Sequence, residues 1–210
     1  MDIYQRADEA IRDMNRWNLR AFNGLKLAKW DELHVIRQVN EVYNDSIRRA
    51  KRKYYEIAVE AYIVALLEAH IERVKAHRMA DEAITMEQIM EWLEDVDPVT
   101  MFAFLPEAER KKARFLEAAS VAENRNKEID RALRYWSNQL AQYADNSVFY
   151  ARLKAFRDAG IKYVRWVTKE DERVCPDCDD LNGKIFPIDE APYPLHYRCR
   201  CRLVRVLSEP

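Results

Sequence analysis

Cys175, Cys178, Cys199 and Cys201 are the only cysteines in the chain, and none lies before residue 175 of 210. The first two form a C-x-x-C pair, Cys175-Pro176-Asp177-Cys178. The last two close an H-x-x-C-x-C group, His196-Tyr197-Arg198-Cys199-Arg200-Cys201. Thiols three residues apart converge on one ion from a tight knuckle. A second Cys/His group across a hairpin can supply the remaining donors. Zinc takes four sulfur or nitrogen donors in a tetrahedron. Five candidates are present, Cys175, Cys178, His196, Cys199 and Cys201, so four of the five are expected to hold a structural zinc and one is spare. Two other readings of the thiols stay open. They can be metal-free and packed as small hydrophobes, or a pair such as Cys175–Cys178 can form a redox disulfide. The βαβ surroundings of a redox C-x-x-C are missing. No H-E-x-x-H or H-x-E accompanies the cysteines, so a structural ion is expected over a catalytic one.

Arg198, Arg200, Arg202 and Arg205 follow the same cluster. Alternate residues of a strand share a face, so these arginines form a candidate basic stripe for a phosphate backbone or an acidic partner. The competing reading is a solvated strand face paired with Asp177, Asp179 and Asp180. Arg48 to Lys53 and Arg110-Lys111-Lys112 read as solvated helix faces. His34, His70 and His77 lie in helical pattern and carry no expected chemistry. There is no G-x-S-x-G and no Walker sequence. Glu170, Asp171 and Glu172 look like a polar turn rather than an acid/base pair. The protein is therefore expected not to be an enzyme.

The elements that must position the cysteines are mostly helical. Only 3 glycines and 7 prolines occur, and no proline precedes Pro98. Ile3, Ala7, Ala10, Ile11, Met14 and Trp17 recur at helical steps, with a break expected at Gly24. Asp31 suits the cap of a second helix carrying Leu33, Ile36, Val39, Val42, Tyr43 and Ile47 on one face. Its apolar periodicity resumes at Tyr54 and continues past Ile71 to about Ala83. Two long antiparallel helices follow from this pattern. Thr85-Met86-Glu87-Gln88 is a capping box for a short helix to about Glu94. Pro106 suits a first helical turn. Helical periodicity runs from Glu107 to about Tyr143, and a further short helix, 147–159, stops at Gly160. The texture then changes. Residues 161–168 read as a strand, Asn182-Gly183 as a hairpin turn, and 184–186 and 202–207 as further strands. The expected fold is mainly α with a small C-terminal α+β module: long antiparallel helices, then a short β-hairpin domain of zinc-knuckle type. The expected division is 1–145 for the helical body and 146–210 for the module. So small a module lacks a large core, and a metal staple would account for its folding.

Composition sets the outer limits. With 49% hydrophobic and 34% charged residues, the chain has the material for a core and is not a disordered polymer. Its 35 basic and 36 acidic residues leave a net charge of -1, which argues against a globally basic nucleic-acid binder. Neither a secretory leader nor an apolar run of about 18 residues occurs, so a soluble, intracellular protein with no membrane partner is expected.

The stretch Arg165-Trp166-Val167-Thr168, Asp171-Glu172-Arg173-Val174-Cys175-Pro176-Asp177-Cys178, Leu181-Asn182-Gly183, His196 and Cys199-Arg200-Cys201 resembles the C-terminal domain of the tailed-phage head morphogenesis, or minor head protein, family of Mu F-like type. That pattern reads W-x-T-x-x-D-x-R-x-C-x-x-C-x-x-L-x-G, then P-P-x-H-x-x-C-R-C. Here Ala191-Pro192-Tyr193-Pro194 replaces the commoner Pro-Pro. Tyr143-Ala144-Asp145-Asn146 lacks the Thr-Glu pair that many relatives carry before the domain. The resemblance implies a minor head protein that associates with the portal protein and other head or scaffold proteins. It would assist head assembly, DNA packaging or ejection, first in the host cytoplasm and then in the virion head. Non-specific contact with phage DNA is a further implied role. Two alternatives belong to other classes: a metal-dependent nuclease or transferase, which needs an open metal position in a pocket, and a zinc-ribbon nucleic-acid-binding module, which needs a continuous basic surface.

Overall fold

The computed structural model describes residues 3–28, 30–94, 103–169, 174–193, 199 and 201–207. Seven α-helices and three strands occur among them. Helices α1 (Ile3–Lys26) and α2 (Glu32–Glu68) form the expected antiparallel pair. The contacts fix the direction: Arg6 meets Glu60, Ser46 donates to Asn18 Oδ1 at 2.7 Å, and the Phe22 and Tyr43 rings lie 5.5 Å apart. Asp31 caps α2 by accepting from the His34 amide at 2.9 Å, which satisfies one of the first-turn donors. α1 does not stop at Gly24. It continues to Lys26 because glycine weakens a helix without ending it when the backbone stays right-handed.

The third long helix, α6 (Arg125–Asp158), packs between α1 and α2 contacts and runs parallel to α2. Trp136 donates to Ser46 Oγ at 2.7 Å, Tyr54 to the Leu140 carbonyl at 2.9 Å, and Arg152 reaches Glu68. Both sets of numbers rise together. Parallel helices need a long return, and three helices fill it: α3 (Arg73–Ala83), α4 (Met86–Glu94) and α5 (Phe104–Val121). The Thr85 hydroxyl accepts from the Gln88 amide at 3.1 Å, as the capping box requires. Phe104 opens α5 and is fully buried. Its ring lies 5.6 Å from Tyr54, 6.1 Å from Trp136 and 5.0 Å from Tyr143.

Three helix boundaries depart from the periodicity. The helix through Tyr54 ends at Glu68, where His70 adopts a left-handed backbone, φ 62°. Its amide bonds to the Leu67 carbonyl and that of Ile71 to Leu66, both at 3.0 Å. This is the paired closure usually made with glycine. The helix expected from 107 to 143 is interrupted at Ala122–Asn124, with Asn124 capping α6. The break expected near residue 145 is absent. Tyr143 to Ser147 looks polar enough for a loop, but its polar groups are satisfied inside the helix. Gln142 donates to Asn146 at 3.0 Å and Ser147 to the Tyr143 carbonyl at 2.8 Å. Residues 95–102 and Glu170 to Glu172 lie outside the described residues.

After α6 the chain forms a three-stranded antiparallel sheet in the order β2–β1–β3. These are β1 (Tyr163–Val167), β2 (Ile185–Pro187) and β3 (Arg202–Val206). A short helix, α7 (Pro176–Leu181), sits between β1 and β2. Val164, Trp166 and Leu203 are buried on the face that meets α6. No described helix is long and apolar enough to cross a membrane.

Candidate metal centre

The chain enters the site from Gly160, which closes α6 at φ 74° with Gly160 N bonded to the Arg157 carbonyl and Ile161 N to Phe156. β1 then carries the chain to Thr168. Cys175 is the N-cap of α7, and Pro176 takes the first helical position, where no amide is needed. The Cys178 amide donates to Cys175 Sγ at 3.3 Å. The far end of α7 is tied back to β1. Gly183, φ 79°, donates to the Trp166 carbonyl at 2.8 Å, and the Thr168 amide donates to Asn182 Oδ1 at 3.1 Å. Asn182-Gly183 is thus a turn, as expected, though it returns the chain from α7 rather than joining two strands directly. Cys201 directly precedes β3, whose first residue, Arg202, pairs with Val167. Both cysteine groups are therefore held at one end of the sheet.

The sulfurs of Cys178, Cys199 and Cys201 all lie within 4.8 Å of one another. Cys178 is buried and the other two half-buried. The Cys178 and Cys199 sulfurs are 3.6 Å apart. A tetrahedron with zinc–sulfur bonds of about 2.3 Å places its sulfurs about 3.8 Å apart, so the donor set fits such an ion. All four cysteines are free thiols. Burial, and then a hydrogen bond with Cys175, pushes the Cys178 thiol up to about 12. The Cys201 thiol is also raised, first by its bond with Cys199 and then by burial. Crowded thiols hold their protons unless a cation replaces them. The chemistry available is to take a soft cation and release protons.

Residues 123–204 match the family model described as Phage Mu protein F like protein. This stretch is Mu F-like. It begins just before α6, ends within β3 and contains the whole thiol cluster. No curated protein and no solved structure matches the chain.

His196, Arg198 and Arg200 lie outside the described residues. Arg202 and Arg205 do not share a face. They are three apart in one strand, so the two-residue period turns them to opposite sides. Arg202 is exposed. Arg205 pairs with buried Val164 and turns toward the helices, where its Nη2 donates to His70 Nε2 at 3.0 Å. A single stripe through both is therefore corrected by strand parity.

Arg152 was not singled out by motif, yet it joins the Mu F-like sheet to the helical body. It is nearly buried and grips Glu68 through both terminal nitrogens, at 3.1 and 2.7 Å. It also donates to the Leu203 carbonyl of β3 at 3.3 Å, and its guanidinium lies 5.3 Å from the Phe156 ring centre. Its signal is positional: Arg152 stands midway between Val148 and Phe156 in one four-residue row of an apolar stripe.

Proposed function

We propose that the protein is a minor head protein of a tailed phage. It associates with the portal or procapsid and assists head assembly, DNA packaging or ejection. It acts in the host cytoplasm and then resides in the virion head. The observation that carries this reading is the Mu F-like match over 123–204, the stretch that gathers the thiols. In this reading Cys178, Cys199 and Cys201 hold a structural zinc. The fourth donor is Cys175, whose sulfur already accepts from the Cys178 amide, or His196. The ion staples α7 to the start of β3, a connection that a sheet of three short strands needs.

Two measurements test the proposal. Elemental mass spectrometry of the purified chain should find about one zinc per molecule, and Cys178→Ser should lose it and melt at a lower temperature than the zinc-loaded chain. Co-expression with the portal protein should yield a complex that purifies as one species. A wild-type chain without metal would overturn the staple. A chain that never co-purifies with portal or procapsid would overturn the head-assembly role.

A further inference from the structure

A concave surface on the helical body lies between α5 and α6, a cleft of about 340 Å³. α5 lines it with Arg110, Lys111 and Arg114, and α6 with Arg131 and Tyr135. Phe115 provides an apolar surface, and Glu128 is the single acidic residue among those lining it. On α1 the exposed Arg16 is balanced within its own helix by Asp13. In the cleft that balance fails. Buried Glu107 is held by both Arg110, at 2.5 and 2.6 Å, and Lys111, at 3.2 Å. Burial pushes its carboxyl up, but those bonds outweigh it and keep the group ionised. Glu128 stands 3.8 Å from Arg131, the limit of an ion pair. Arg114 and Arg134, both exposed, have no ion pair among the described residues. Lys111, Arg131 and Arg134 also crowd one half-exposed ring, at 5.6, 5.7 and 5.7 Å from the centre of Tyr135.

Four cations thus line one hollow, with Arg134 added beside its Tyr135 wall, against two carboxylates. A concave surface of one sign focuses its potential and draws the opposite charge. We infer that this cleft docks an acidic protein segment. Carboxylates of the segment meet Arg114, Arg131 and Arg134, and an apolar side chain rests on Phe115. Arg110 and Arg114 stand one turn apart on α5, across the cleft from Arg131 on α6, so a segment lying in the cleft is flanked by cations on both sides. Nucleic acid fits less well. Three cations crowd the Tyr135 ring and compete with a base for its faces. A duplex, whose major groove alone is about 12 Å wide, does not enter a hollow of this size. The inference is independent of the metal centre and of the head-assembly role.

The test uses the full chain and a fluorescein-labelled glutamate-rich peptide with one central phenylalanine, followed by anisotropy. The wild type should bind it. The Arg114→Ser/Arg131→Ser double variant should bind about tenfold more weakly, with unchanged circular dichroism because both side chains are exposed. Arg202→Ser, an exposed cation on the sheet, should bind as the wild type does. Three results would overturn the inference: no binding by the wild type, equal binding by the double variant, or tighter binding of labelled single-stranded or duplex DNA that the same double variant abolishes.

Discussion

A thiol whose proton is held by burial and by neighbouring thiols makes the fold sensitive to pH in a direction that a metal ion reverses. In the metal-free protein, Cys178 titrates at about 12, against an ordinary value near 9. Between those values the folded chain holds a proton that the unfolded chain has lost. Its contribution to stability is therefore complete below pH 9 and disappears as pH rises toward 12. With zinc bound, the ligands are thiolates, and acid returns their protons and expels the ion. Thermal melts in a chelator should fall between pH 9 and 11, and Cys178→Ala should lack that part of the fall. Melts with added zinc should fall instead on acidification below neutral. A chelated protein indifferent to pH above 9 in both forms would contradict the packing assigned to Cys178. The cysteines themselves were legible from spacing alone, because ligand chemistry demands particular residue types at short intervals. The expected stripe fails at Arg205 for an equally simple reason. It joins residues of unlike parity, and only the register with Val164 turns the Arg205 side chain toward His70.

At the scale of elements, the boundaries tell how far local rules reach. Asp31, Thr85 and Gly160 act as written in the sequence, since capping is decided within one turn. The closure at His70 was invisible because the residue carries no marker for a left-handed backbone. The continuity of α6 through Tyr143 to Ser147 was invisible because its polar groups pair with each other only once the helix exists. Two glycines give a test with opposite signs. Gly24 lies inside α1 with a right-handed backbone, and a Cβ there meets no atom within 4 Å. Gly24→Ala should stabilise by about 0.5–1 kcal/mol. Gly160, at φ 74°, should lose about 1–2 kcal/mol on substitution by alanine. Urea midpoints of the two variants should move apart. Shifts in the same direction would contradict either the right-handed backbone at Gly24 or the left-handed one at Gly160.

Across the whole molecule, Arg152 is where body and sheet meet: α6 supplies it, α2 answers with Glu68, and β3 with the Leu203 carbonyl. Arg152→Met keeps most of its volume but leaves both acceptors without their donor. It should cost about 2 kcal/mol in urea denaturation. Glu68 is less buried, its side chain 40% exposed, so Glu68→Gln should cost under about 1 kcal/mol. Equal costs would show that the carbonyl of β3 contributes nothing. The mainly helical architecture with its small terminal sheet could be foreseen from periodicity and composition. The parallel course of α2 and α6 could not, since it depends on contacts such as Ser46 with Trp136 across 90 residues.

The sheet's connections also set how it would respond to pulling. α6 feeds β1 at Tyr163, and Val206 at the far end of β3 lies directly across from that entry point. Tension between the helices and whatever is attached beyond Val206 would load one rung at a time, opening β3 from β1 like a zip rather than sliding the strands past each other. The opening would travel from Tyr163 toward Val167, where Cys201 waits just before Arg202. The thiol cluster sits at the last tooth, so any ion it holds is a mechanical stop: peeling halts at the point where the chain is clamped to α7.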